Sequence, residues 1–133
     1  MAVERRERTV KTGNILVVDD ERTVRKVLAI ALTGEGHRVD TVGDGHAALE
    51  QLKNQSYDVL IVDLRMPGLD GEGLFEVLRK QYPDAAKRVV FVTGDTASPD
   101  SQAFLERTGR PFLAKPMELS EVQGIVQEIL QEQ

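Results

Sequence analysis

Three carboxylates, one hydroxyl and one ammonium each close a short apolar run in this chain. Asn14-Ile-Leu-Val-Val leads to Asp19 and Asp20, and Tyr57-Asp-Val-Leu-Ile-Val leads to Asp63. Arg88-Val-Val-Phe-Val leads to Thr93, and Arg110-Pro-Phe-Leu-Ala leads to Lys115. Brought together, the three acids would repel: two like charges about 4 Å apart cost on the order of 4 kcal/mol at an effective dielectric near 20. A hard divalent cation such as Mg2+ relieves that repulsion, because it prefers oxygen ligands and is held by one or two carboxylates, water and phosphate. Lys115 adds a second positive charge. A carboxylate beside such a cation, a lysine and a hydroxyl donor is equipped for phosphoryl transfer, where catalysis is mostly positioning and neutralisation. Asp63 is the expected nucleophile, becoming an acyl phosphate. Thr93 and Lys115 would each donate to a phosphoryl oxygen. Singly, each element has a plainer explanation: an Asp-Asp pair caps a helix, a strand-ending threonine is structural, and Lys-Pro is a surface turn. Asp63 resists this, since a carboxylate straight after four buried apolar residues needs a compensating partner.

Parallel strands line their carboxyl ends along one sheet edge, where ligands of open α/β sheets bind. The rest of the chain supplies such a sheet. After Asp20, residues Val24, Val27, Leu28, Ala31 and Leu32 share one helical face. Gly34 and Gly36 break that helix, and His37–Val42 reads as a second strand. Asp44 suits the N-cap of a helix carrying Ala48, Leu49 and Leu52. Val59–Val62 and Val89–Val92 are apolar without alternation, as strands covered on both faces should be. Met66–Gly71 is turn chemistry before a helix with Leu74, Val77 and Leu78 that stops near Pro83. Ser98-Pro99 opens a helix, as N-cap and first-turn proline, that ends around Gly109. Phe112–Ala114 is a last short strand, before a helix striped by Leu119, Val122, Ile125, Val126, Ile129 and Leu130. Five strands alternating with five helices predict a doubly wound parallel α/β sandwich with right-handed crossovers. No GxGxxG follows the first strand, so a dinucleotide fold lacks its phosphate loop.

Residues 1–13, polar and of mixed charge, read as a flexible arm, and 14–132 as one domain. In that arm Arg5, Arg6 and Arg8 are diluted by Glu4 and Glu7. A net charge of −5 argues against nucleic acid as a direct partner. Absent cysteine excludes disulfides, a thiol nucleophile and a zinc cluster. No run approaches the roughly 18 apolar residues of a membrane span, so no membrane partner and a cytoplasmic location are expected. His37 and His46, away from the predicted strand ends, read as surface residues.

Four motifs, Ile15-Leu-Val-Val-Asp-Asp-Glu21, Asp58-Val-Leu-Ile-Val-Asp-Leu-Arg-Met-Pro-Gly68, Val90-Phe-Val-Thr-Gly94 and Phe112-Leu-Ala-Lys-Pro116, closely resemble receiver domains of two-component response regulators. The resemblance runs from residue 14 to about 132. It implies a flavodoxin-like sheet of order 2-1-3-4-5 and a phosphoacceptor at Asp63. By the same likeness Asp20 would bind Mg2+ directly, Asp19 through water, and Arg65 through its backbone carbonyl. Thr93 would be the switch hydroxyl, Lys115 the phosphate-pairing lysine and Phe112 the switching aromatic, and Lys115–Pro116 is a candidate cis bond. Phosphorylation adds roughly −1.5 to −2 charges. Thr93 would move toward the phosphoryl group and Phe112 turn into the vacated space, with the Ser98–Thr108 helix as the bistable element. Phe104 and Leu105 on that helix are candidates for a partner-facing pair, with at least one expected in the core.

The chain departs from the commoner pattern in places. Phe112 lacks a tyrosine hydroxyl, and Arg110-Pro111 stands where smaller or acidic residues are usual. Arg65 and Asp95, each two residues beyond its neighbouring site residue, are expected to pair, shield the acyl phosphate and slow its hydrolysis.

The implied partners are a sensor histidine kinase or histidine phosphotransfer domain, and a downstream protein on the face of the last two helices and last strand. The chain then assists only its own phosphorylation and dephosphorylation. It fits a stand-alone regulator, or the receiver of a hybrid histidine kinase or phosphorelay. An aspartate-dependent phosphatase would share the nucleophile, but its second acid falls at Arg65. A flavin-binding carrier would share the topology, with no evident ring site in a chain of two Tyr and no Trp.

Overall fold

The computed structural model describes residues 10–133, so most of the predicted N-terminal arm lies outside the described residues. The elements follow as β1 (Asn14–Val18), α1 (Arg22–Gly34), β2 (Arg38–Val42), α2 (Gly45–Asn54), β3 (Val59–Asp63) and α3 (Gly71–Gln81). Then come α4 (Pro83–Ala86), β4 (Val89–Thr93), α5 (Pro99–Thr108), β5 (Phe112–Ala114) and α6 (Leu119–Gln131). All strand pairs are parallel, in the order β2-β1-β3-β4-β5.

The unbroken apolar runs are explained by two buried faces. Leu16, Val18, Leu60, Val62, Val89 and Phe91 pack toward α2, α3, α4 and α5. Their neighbours Ile15, Val17, Val59, Ile61, Val90 and Val92 pack toward α1 and α6. Period-two alternation is present, but both parities meet helices and both must be apolar. Across the first layer Phe75, Phe91 and Phe104 form a triangle of edge-on rings with centroids 5.3–5.9 Å apart. Phe104 and Leu105 are both buried, so α5 offers neither to a partner.

Helix starts follow the side chains present. Asp44 Oδ1 accepts from the Ala47 N–H at 2.8 Å, and Asp70 Oδ1 accepts from the Gly73 N–H at 3.0 Å. Ser98 caps α5, and the helix ends at Gly109, whose φ of 68° suits the residue without a Cβ. A sixth helix departs from the expected five: Pro83 opens the four-residue α4. Proline has no N–H to lose in a first turn, so it starts a helix as readily as it stops one.

His37 is the second correction. It is 3% exposed, because residues preceding β1 cover the start of β2 and the Gly13 N–H donates to Nδ1 at 3.2 Å. Lys11 beside it exchanges backbone hydrogen bonds with the Gln127 side chain of α6. On α1, Leu28 and Leu32 are buried while Val27 and Ile30 stay exposed, so the apolar stripe is wider than the surface it covers.

Candidate functional site

The sheet order places β1, β3, β4 and β5 side by side, and their carboxyl ends meet at one edge. In register, Val18 stands beside Val62, Asp63 beside Val92, and Thr93 beside Ala114. One further residue along β1 and along β5 lie Asp19 and Lys115. Close packing at this edge needs Gly71: a Cβ there would stand 2.6 Å from the Asp63 carbonyl oxygen. The missing side chain lets the start of α3 lie against the end of β3.

Asp19, Asp20 and Asp63 each bring a carboxylate oxygen within 4.8 Å of the others. Asp19 and Asp63 are buried and Asp20 faces solvent. Lys115 Nζ reaches Asp19 Oδ2 at 3.1 Å and Asp63 Oδ2 at 3.2 Å. Asp63 Oδ1 accepts a long hydrogen bond, 3.3 Å, from the Arg65 N–H. Asp19 Oδ1 accepts from the Glu21 N–H at 2.8 Å, and Arg25 Nη1 donates to the Asp19 carbonyl at 2.7 Å. Asp19 is thereby fixed by the turn after β1 and the first turn of α1.

Burial, followed by the charge of Asp19, raises the Asp63 carboxyl from 3.8 to about 6, against the lowering by Lys115 and the Arg65 N–H. Burial by itself would lower the Lys115 ammonium. Its bonds to Glu21 and Asp19 and the charges of Asp19 and Asp63 reverse that, holding it above the ordinary lysine range. One lysine thus faces two buried carboxylates and a third exposed one. This all-oxygen donor set with excess negative charge fits a hard divalent cation.

Thr93 is fully buried at the end of β4. Its Oγ1 accepts from the Asp95 N–H at 3.0 Å and donates to the Asp95 carbonyl at 3.3 Å. The Lys115 N–H donates to the Thr93 carbonyl at 2.8 Å, tying the two strand ends together. The Lys115–Pro116 bond is cis. Phe112, three residues before Lys115, is 46% exposed on the edge strand.

The expected Arg65–Asp95 pair does not form. Arg65 instead donates through Nη2 to Ser101 Oγ at 2.6 Å and lies 3.4 Å from Glu72. Asp95 is occupied with the loop before α5, accepting from the Ala97 and Ser98 N–H groups. Asx-type turn bonding holds a carboxylate at two or three residues' range, and Arg65 takes the partners its long side chain reaches. Sequence reasoning also left Glu21 without a role, yet its Oε1 lies 2.6 Å from Lys115 Nζ. The available signal was a third acid directly after Asp19-Asp20.

The response regulator receiver domain profile matches residues 15–127. TcrA, a transcriptional regulatory protein of Mycobacterium tuberculosis, is 39% identical over 108 residues, covering 81% of this chain and 42% of the relative. ArlR, a response regulator of Staphylococcus aureus, is 29% identical over 119 residues, covering 90% of this chain and 53% of the relative. The chain therefore spans about half the length of these relatives. Among solved structures, the Francisella response regulator 1452 receiver domain superposes with a TM-score of 0.79 at 25% identity, covering 90% of this chain and 98% of that one. The Vibrio cholerae chemotaxis response regulator CheY4 gives 0.79 at 26% identity, covering 90% and 100%. Among the described residues no helix is long and apolar enough to cross a membrane. The chain belongs to the response regulator receiver-domain family, a family of two-component signalling domains rather than classical enzymes.

Proposed function

From that membership we propose that Asp63 accepts a phosphoryl group from a histidine of a sensor kinase or histidine phosphotransfer domain. The observation that carries this is the Lys115 ammonium, 3.2 Å from Asp63 and 3.1 Å from Asp19 in a buried acidic pocket. Above about pH 6 Asp63 is in its carboxylate form, the nucleophile. An Asp63 oxygen attacks phosphorus as the P–N bond to the donor imidazole breaks. The electron pair stays on the imidazole nitrogen, which takes a proton from water. Lys115 then neutralises part of the charge on the acyl phosphate. Asp19, Asp20 and Asp63, with the Arg65 carbonyl, would hold Mg2+, which when bound spreads the charge of the phosphoryl oxygens.

Signalling follows from the same atoms. Thr93 gives up its bond to the Asp95 carbonyl to donate to the phosphoryl group, and exposed Phe112 turns inward toward the space it leaves. The surface of α5, β5 and α6 then presents a changed face to a downstream protein, in the cytoplasm and without nucleic acid. The test is phosphorylation by a small-molecule donor such as phosphoramidate, read by intact mass with and without Mg2+. One phosphoryl group is expected with the cation and little without it. A mass gain independent of Mg2+ would overturn the metal assignment, and no gain at all would overturn the phosphoacceptor.

A further inference from the structure

Ser101 is fully buried on α5. Its hydroxyl accepts a 2.6 Å hydrogen bond from Arg65 Nη2. Arg65 begins two residues after Asp63, and its own N–H donates to Asp63 Oδ1. Its second terminal nitrogen lies 3.4 Å from Glu72 in the first turn of α3. One guanidinium therefore spans the loop after the phosphoacceptor, the start of α3 and the first half of α5. The only other buried side chains of α5 are Phe104 and Leu105, both further along the helix.

We propose that Arg65 is a positioning residue that reports the charge state of Asp63 to α5 through Ser101. This rests on the reading of Asp63 as phosphoacceptor, and runs separately from the Thr93–Phe112 route. With Asp63 as a free carboxylate, the Lys115 ammonium and the Arg65 N–H are its partners, and the Arg65 side chain is spent on Ser101 and Glu72. A phosphoryl group adds roughly −1.5 to −2 charges and three strong acceptor oxygens two residues away. A guanidinium fits phosphate oxygens in a two-pronged fashion that a neutral hydroxyl cannot match. Arg65 is about half-exposed, so its guanidinium can exchange partners through solvent, whereas Ser101 is buried. Once Arg65 turns to the phosphoryl group, the Ser101 hydroxyl is left buried without its donor. The first half of α5 is then held less tightly, while the Phe75–Phe91–Phe104 rings keep the second half in place.

The test is amide hydrogen exchange across residues 98–109, with the phosphorylated fraction of each sample taken from its intact mass. In the wild type, phosphorylation should speed exchange in the first half of α5 about tenfold, the equilibrium worth of one hydrogen bond to a charged group. Ser101→Ala should be phosphorylated to the same extent yet show fast exchange beforehand and little further change. Arg65→Ala, compared at a matched phosphorylated fraction, should behave alike, and the double variant should be no faster than either single one. Full mass gain with an unchanged phosphorylation response in Ser101→Ala would overturn the coupling alone. No mass gain in the wild type would overturn the phosphoacceptor reading and the coupling with it.

Discussion

Glu21, not Asp63, is the carboxylate nearest the Lys115 ammonium: Nζ stands 2.6 Å from Glu21 Oε1 and 3.2 Å from Asp63 Oδ2. The two contacts are unequal in energy as well as length. Glu21 is exposed, so its pair is screened by water, while Asp63 and Asp19 are buried. Glu21→Gln should change unfolding free energy by under about 1 kcal/mol. Lys115→Ala should cost about 3 kcal/mol, because it strands two buried carboxylates. Part of that loss should return on adding Mg2+. Urea unfolding of both variants with and without Mg2+ checks this, and equal effects of the two substitutions would refute the ranking.

Asp63 also predicts a pH dependence. Its carboxyl is raised from 3.8 in the unfolded chain to about 6 in the folded one, so between those values the folded state holds a proton the unfolded state has lost. Stability from this group is therefore greatest at low pH and falls as pH rises from about 4 through 6. Asp63→Asn should remove that fall and be more stable than wild type at pH 7.5, by about 1 kcal/mol once solvent screening at the pocket mouth is discounted. Thermal unfolding across pH 4–8 without Mg2+ reads the difference, and a less stable Asn variant at pH 7.5 would contradict it.

His37 predicts the opposite slope. Burial lowers its imidazole below the ordinary 6.5, against a weaker raising by Glu35, so on acidification the unfolded chain takes the proton first. Its contribution is present in full above 6.5 and is lost as pH falls below that value. Protonation also removes the acceptor that Gly13 uses. His37→Gln should flatten the acid limb of the stability curve. An unchanged limb would show that the ring titrates freely.

Gly71→Ala should disturb the site through the backbone alone. The added methyl would meet the Asp63 carbonyl at 2.6 Å, which forces α3 or the end of β3 to shift. A cost of about 1–3 kcal/mol follows from overpacking, together with weaker Mg2+ binding by calorimetry. Wild-type affinity in a folded Gly71→Ala protein would show that this edge tolerates displacement.

How far the sequence reaches is seen in particular residues. Val59–Val62 and Val89–Val92 announced strands buried on both faces because their own composition records both neighbours. Asp44 and Ser98 announced helix starts because capping is local. The convergence of Asp19, Asp20, Asp63 and Lys115 was legible because parallel strands leave their ends no other place to go. What sequence missed was set by geometry across the chain. His37 is buried by a segment 24 residues away, and Arg65 chose Ser101, 36 residues on, over nearer-seeming Asp95. The four-residue α4 carries too little periodicity to be read, and its proline pointed to a stop.

The central claim is that Asp63 alone among the carboxylates of this pocket takes the phosphoryl group. The most direct measurement is phosphorylation with phosphoramidate and Mg2+, borohydride reduction of the acyl phosphate to the alcohol, and peptide mass mapping. The reduced residue is predicted at position 63, and no reduced site is predicted in Asp63→Asn. Reduction at Asp19 or Asp20, or equal incorporation in Asp63→Asn, would contradict the account.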